Sequence, residues 1–277
     1  MPRNPLERSH AHADKAHNDL GRIIARLGTK RNPRGKVLTA YARARRDIAR
    51  LLRSGAGRYE VEAALQGLQA EVRVAVINAL WDGWHVGSLS ARHQLSAYGV
   101  TPPEEARDYE YIALASDAVM ETYQAQHGQI IALLAAGVGA ALIVGDQRRQ
   151  GALRPAPVIR TAADWSMRSH AAAFVQTVEA VPDAPYFQRQ AIAAVDSRTT
   201  DCCLRVNGQI VELDEPFHLT GTPRYADHMM NPPFHNFCRT SPALYQADYD
   251  NRLTERMQNA SREELGRRLD EKRKEAA

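Results

Sequence analysis

The stretch Asp196-Ser-Arg-Thr-Thr-Asp-Cys-Cys-Leu-Arg-Val-Asn-Gly208 and the shorter run Pro232-Pro-Phe-His-Asn-Phe-Cys-Arg239 hold all three cysteines of the 277-residue chain. On either side of the first run, residues 189–195 and 208–213 read as short strands, with Asn207-Gly208 as turn chemistry between them. Upstream of Pro182-Asp-Ala-Pro185 the periodicity is helical instead. The expected fold is therefore α+β, with a mostly helical N-terminal two-thirds and a small β-containing Cys/His module near the C-terminus.

Working back from the module, residues 161–181 read as a helix behind a proline-bearing connection at Gly151-Ala-Leu-Arg-Pro-Ala-Pro157. The uncharged stretch 130–145 raises the question of a membrane. Sixteen helical residues rise only about 24 Å against a hydrocarbon core of about 30 Å, so a buried helix is expected and no stable membrane association. Thr101-Pro-Pro-Glu104 has the residues of a helix start, which places a helix from there to about Gln126. Val61, Leu65, Leu68, Val72, Val76 and Leu80 recur at helical spacing within 59–98, where Gly99 supplies a stop and Gly83 a place to bend. An arginine-rich amphipathic helix is expected over 36–53, ended by Ser54-Gly-Ala-Gly57. Residues 1–20 show little periodicity and read as an arm that orders on contact. Their His10, His12 and His17 do not share one helical face and are not expected to bind a metal. Residues 247–277 read as a charged helix or fraying tail. The implied divisions are 1–57, a basic arm and helix; 58–185, helical; 186–246, the α+β module; and 247–277, the tail.

Composition is that of a soluble globular protein, with 44% hydrophobic and 25% charged residues. The first residues carry charge and no apolar run, so no secretory signal is expected, and thiols in the cytoplasm where the chain is made stay reduced. The net charge of +4 is uneven: residues 1–60 carry 15 Lys/Arg against 5 Asp/Glu, or +10, and the remaining 21 against 27 leave −6. Arg43, Arg45, Arg46 and Arg50 concentrate that excess on one helix and suit a polyanion, either double-stranded DNA or an acidic protein surface. Aromatics that stack on single-stranded bases are not interleaved with them.

His235 and Cys238 have the three-residue spacing at which a turn can present two ligands to one ion, and Cys202 or Cys203 can join them from the first run. Adjacent cysteines seldom both ligate the same ion, so three good ligands are counted, with Asp196, His218, His228 or water for the fourth position. A structural zinc clamp, a metal-free core of small thiols, and a catalytic site all fit these residue types, but no second catalytic group is specified. Asp196 and Arg239 are placed to form a bidentate ion pair between the two runs, and Thr199 and Thr200 to cap the turn after the strand.

Together the runs resemble a family. Asp196, Arg198, Thr199, Thr200, Cys203 and Gly208, followed by Pro232, Pro233, His235, Cys238 and Arg239, look like the C-terminal domain of phage Mu F-like minor head, or head morphogenesis, proteins. The resemblance covers about 120–246 and is specific in the last fifty residues of that span. Where many members have further cysteines this chain has Thr200 and Thr240, so the ligand set the resemblance implies is Cys203, His235 and Cys238, with zinc as a structural cofactor. It further implies a non-enzymatic minor component of a tailed phage, prophage or gene-transfer particle. Such a protein acts in the capsid interior near the portal vertex after assembly in the host cytoplasm. Its partners are the portal protein, the major capsid or scaffold protein, and packaged DNA. A metal-dependent enzyme or delivered effector built on the same module is the alternative, and a zinc-stabilised DNA-binding protein outside any virion is a third.

Overall fold

Apolar residues recurring every three or four positions fold most of the chain into helices, and the computed structural model describes residues 4–28, 32, 34–145, 151–182, 184–223, 225–248 and 252–276. Among these residues the helices are α1 (Pro5–Leu27), α2 (Lys36–Arg53), α3 (Arg58–Ala97), α4 (Tyr109–Ala135), α5 (Ala140–Val144), α6 (Pro155–Glu179), α7 (Asp201–Val206) and α8 (Arg252–Ala276). The strands are β1 (Gln188–Ala193), β2 (Ile210–Glu212), β3 (Phe217–His218), β4 (His228–Met229) and β5 (Thr240–Tyr245). The fold is the mostly helical α+β expected, with its strands near the C-terminus. No described helix is long and apolar enough to cross a membrane.

The chain divides into two compact units: residues 1–20, 83–107 and 167–277, and residues 21–82 and 108–166. The second unit is helical. α2 buries Val37, Ala40, Tyr41, Ala44 and Ile48, a stripe at helical spacing that leaves its arginines outside. Tyr41 meets Tyr123 of α4 edge to face at 6.4 Å, and the Tyr123 hydroxyl donates to the Leu65 carbonyl on α3 at 2.6 Å. Helices α2, α3 and α4 end alike. In each, a glycine with positive φ (Gly55, Gly99, Gly137) lets two amides fold back onto carbonyls of the last turn.

The first unit carries the sheet, in order β2-β1-β5 with both pairings antiparallel. Ala191 exchanges both its backbone hydrogen bonds with Gly208 and Gln209 on the β2 side. It therefore has none to offer Pro242, its partner on β5, and that is why a proline fits in a strand there. The outer edge of β5 is completed by side chains. Gln94 of α3 accepts from the Leu244 amide at 2.7 Å, while Ser9 of α1 and Tyr98 donate to the Leu244 carbonyl at 3.0 and 3.1 Å. Ala91, Leu95, Phe174, Val178, Phe187 and Leu244 form an apolar core beneath. At Gly87, α3 approaches α6 so closely that a Cβ would overlap the carbonyl oxygen of His170.

Several expectations need correcting. Residues 5–20 are not an arm but most of α1, held through Ser9 and through His10, whose ring meets Gln190 of β1 at 2.6 Å. The helix placed at Thr101 starts at Tyr109, because Asp108 supplies the cap, accepting from the Tyr111 amide at 2.8 Å. The stretch 130–145 is broken at Gly137 rather than being one helix, and α6 begins at Pro155, earlier than expected, since proline suits a first helical turn. α3 stays helical through Gly83, so no break interrupts it there. β5 and α7 were not anticipated. Of the two readings of the C-terminal tail, the charged helix is the one found, as α8.

Candidate metal centre

The first run leaves β1 at Asp196, turns, and becomes α7. Asp196 organises the turn by accepting from the Arg198 amide at 2.9 Å, and Thr199 donates to the carbonyl of Ala194. Nη1 of Arg239 lies 2.6 Å from both carboxylate oxygens of Asp196, which is the expected pairing of the two runs, made through one nitrogen. That hydrogen bond, stronger than the opposing desolvation, holds the Asp196 carboxyl well below the usual carboxylate range. Arg198 sits farther out, its Nη2 3.6 Å from the same carboxylate.

α7 places Cys202 and Cys203 inside the protein, and both are fully buried. The second run brings His235 and Cys238 to them through a turn closed by the Cys238 amide donating to the His235 carbonyl at 3.1 Å. Phe237 takes the left-handed conformation in that turn, with φ 57°, a conformation bulky side chains rarely adopt. The Cys203 Sγ lies 3.1 Å from His235 Nε2 and 3.7 Å from Cys238 Sγ. Cys203 thus meets both of its expected partners, but the group whose donors lie mutually closest takes Cys202 in place of Cys238. Cys202, Cys203 and His235 form a group that can hold a metal ion, with donor atoms all within 4.8 Å of one another.

The tautomer of His235 follows from its other nitrogen. Nδ1 faces the Asn236 carbonyl at 2.8 Å, and a carbonyl only accepts, so Nδ1 carries the proton. In the neutral ring Nε2 then turns its lone pair toward Cys203 and toward the Thr200 hydroxyl at 2.8 Å. This is the arrangement of a ligating histidine, oriented from behind by a carbonyl. Thr200 occupies the capping position of α7, but it makes no cap hydrogen bond. Its hydroxyl serves His235 and lies 3.3 Å from Cys202 Sγ, which corrects the capping role expected of it.

Hydrogen bonding within the cluster separates the thiols. Cys203 is pushed up by its bonds to Cys202 and Cys238, while Cys202 is lowered to about 6, first by its bond with Cys203. Cys238 is lowered although burial opposes it, because the neighbouring Cys203 thiol and the His235 ring favour charge on its sulfur. Burial depresses His235, but the neighbouring Cys238 sulfur outweighs it and leaves the ring raised. Negative charge on sulfur is thus favoured on both sides of Cys203, an environment suited to a cation.

Supports outside the two runs hold them in place, and sequence reasoning missed these. Arg189 of β1 is completely buried, and its guanidinium donates to the carbonyls of Glu212, Glu215 and Met230 and to Asn231 Oδ1, tethering the segment that enters the second run. Arg268 of α8 donates to the carbonyls of Asp196 and Thr199, each at 2.7 Å. Asn207 accepts from the Ala193 amide at 2.8 Å and donates to Ser261 of α8 at 2.9 Å. Gly208 has φ 82° at the exit of α7, as its turn position requires. The bonds these arginines make to the module are to carbonyl oxygens, which no charge pattern marks, although Arg268 also pairs with Glu264 one helical turn before it.

The remaining candidates lie apart from the cluster. His218 and His228 stack on each other across β3 and β4, with centroids 4.6 Å apart. His10, His12 and His17 each have separate partners: Gln190, the ring of His93, and Ser241. On α2, Arg43 pairs with Glu71 and Arg50 with Asp47, while Arg45 donates to the Leu153 carbonyl at 2.6 and 3.0 Å. Of the four arginines, Arg46 alone makes no ion pair or hydrogen bond among the described residues. In comparisons with known proteins, the chain matches no family model, no curated protein and no solved structure.

Proposed function

We propose that the chain is a non-enzymatic minor head protein of a tailed phage, prophage or gene-transfer particle, whose C-terminal module is clamped by a structural zinc ion. The observation that carries this reading is the meeting of the two runs that resemble the Mu F-like domain: Asp196 on Arg239, and Cys203 on His235 and Cys238. Zinc suits the donors. Zinc–sulfur bonds of about 2.3 Å at tetrahedral angles set two sulfurs about 3.8 Å apart, close to the 3.7 Å between Cys203 and Cys238. Deep burial of all four Cys and His side chains favours a closed structural site over one with an open catalytic position. When bound, the ion supplies a cross-link between α7 and the 235–238 turn, and the protein supplies the thiolates and the oriented imidazole.

The basic face of α2 is the surface proposed to meet packaged double-stranded DNA or an acidic portal surface. Arg45, Arg46, Arg50 and Arg53 line one groove with Asp47, which pairs with Arg50, so the groove keeps an excess of positive charge. The portal protein and the capsid or scaffold protein are the proposed protein partners, and the capsid interior near the portal the proposed location. The test is co-purification. Expressed with its neighbouring head genes, the full chain should sediment with assembled heads, in few copies per particle. A chain that stays wholly in the soluble fraction while heads form would refute the reading.

A further inference from the structure

The cluster holds one donor more than the resemblance supplies. Cys202 and Cys203 are consecutive residues of a short helix, and consecutive helical side chains ordinarily diverge by about 100°. Here they do not diverge out of reach of one another. The Cys202 sulfur falls within 4.8 Å of both the Cys203 sulfur and a nitrogen of His235. Cys202 is also fully buried, and its sulfur faces the Thr200 hydroxyl at 3.3 Å rather than apolar neighbours alone. A cysteine kept only as a small hydrophobe has no need of that polar setting. Cys238 approaches Cys203 from the other side at 3.7 Å but falls outside that group, so it would join the ion by closing on the other donors.

We propose that Cys202 is a metal ligand, so that the site is a closed set of three thiolates and one imidazole: Cys202, Cys203, Cys238 and His235 Nε2. This rests on the zinc reading above and sharpens it. Four protein ligands fill a tetrahedral zinc ion and leave no position for water or substrate, which separates a structural clamp from a hydrolytic site. Thr200 then acts as an outer-shell group, donating its hydroxyl to the Cys202 thiolate. α7 is pinned by two consecutive residues, and that fixes its rotation as well as its position.

The chain contains three cysteines, which makes the test direct. X-ray absorption at the zinc edge of the full chain, loaded with one equivalent of zinc, should give three sulfur neighbours at about 2.3 Å and one nitrogen at about 2.0 Å. Within one chain, a three-sulfur shell requires Cys202. Cys202→Ser should reduce the shell to two sulfurs and weaken zinc retention against a competing chelator by more than the 10–100-fold typical of losing an outer-shell partner. A wild-type shell of two sulfurs, or unchanged retention in Cys202→Ser, overturns the assignment of Cys202 while leaving the clamp standing. Failure of the wild-type chain to bind zinc removes the clamp itself and this assignment with it. Should Cys202→Ser not fold, the wild-type spectrum alone decides.

Discussion

Arg239 joins the two runs through a single nitrogen placed between both oxygens of Asp196. The pair is part-buried, with about a third of each side chain exposed, so it is worth less than a fully enclosed one but more than a surface ion pair. Replacing Arg239 by Ala should cost about 1–2 kcal/mol in urea denaturation. In a cycle with Asp196→Ala, most of that loss should disappear from the double variant. Additive losses would mean that the two side chains act independently. Much of this level was readable beforehand, because Asp196, Arg239, Cys203, His235 and Cys238 carry chemistry at short spacings. Cys202 stood only as an alternative to Cys203, because adjacent cysteines seldom share an ion, whereas the fold puts both sulfurs within 4.8 Å of His235. Arg189 and Arg268 could not have been read at all. The bonds that tie them to the module go mainly to backbone carbonyls, and no residue type marks a carbonyl.

Between elements, the tightest restraint is the approach of α3 to α6 at Gly87. Because the obstructing atom is a backbone carbonyl oxygen in a helix, it cannot turn aside as a side chain would. Gly87→Ala should therefore push the helices apart and cost about 2–3 kcal/mol, measured as a lowered denaturation midpoint with an unchanged slope. Gly67, where nothing lies within 4 Å of an added Cβ, is the control: Ala there should stabilise slightly or be neutral. Legibility at this scale depended on how local the reasons were. α2 was read to its ends, since its apolar stripe and its Gly55 stop both lie in the sequence around it. β5 was hidden by Pro242, which ordinarily argues against a strand and is permitted here only by the register with Ala191. α1 was hidden because what holds it is remote: Ser9 meets residues 85 and 235 positions away.

For the whole molecule, buried neutral histidines set the response to acid. Burial lowers His10 to about 4, although its hydrogen bond with Gln190 opposes this, and lowers His170 to about 3 with a smaller contribution from His17. Both values lie below the ordinary 6.5, so between there and the folded value the unfolded chain binds the extra proton. Stability should hold above pH 6.5 and fall as pH drops, by up to about 1.4 kcal/mol per pH unit for each ring. Urea midpoints at pH 7 and pH 5 check this, and His10→Gln should flatten the dependence by one ring's share. A midpoint that rises toward pH 5 would contradict the assignment. Asp196, with its pKa depressed, should add to the loss only below the ordinary carboxylate range.

The completed edge of β5 also has a consequence in time. Ser9 bonds to the carbonyl of Leu244, a residue 235 positions later, and Gln94 bonds to that residue's amide across 150 positions. Ribosomes add roughly 5–20 residues per second, so α1 emerges roughly 10–50 s before the strand edge it seals. During that interval Ser9 has no Leu244 carbonyl to bond. Until then Ser9 and Gln94, which bond to each other at 2.8 Å, can join α1 to α3 ahead of the strand they later complete.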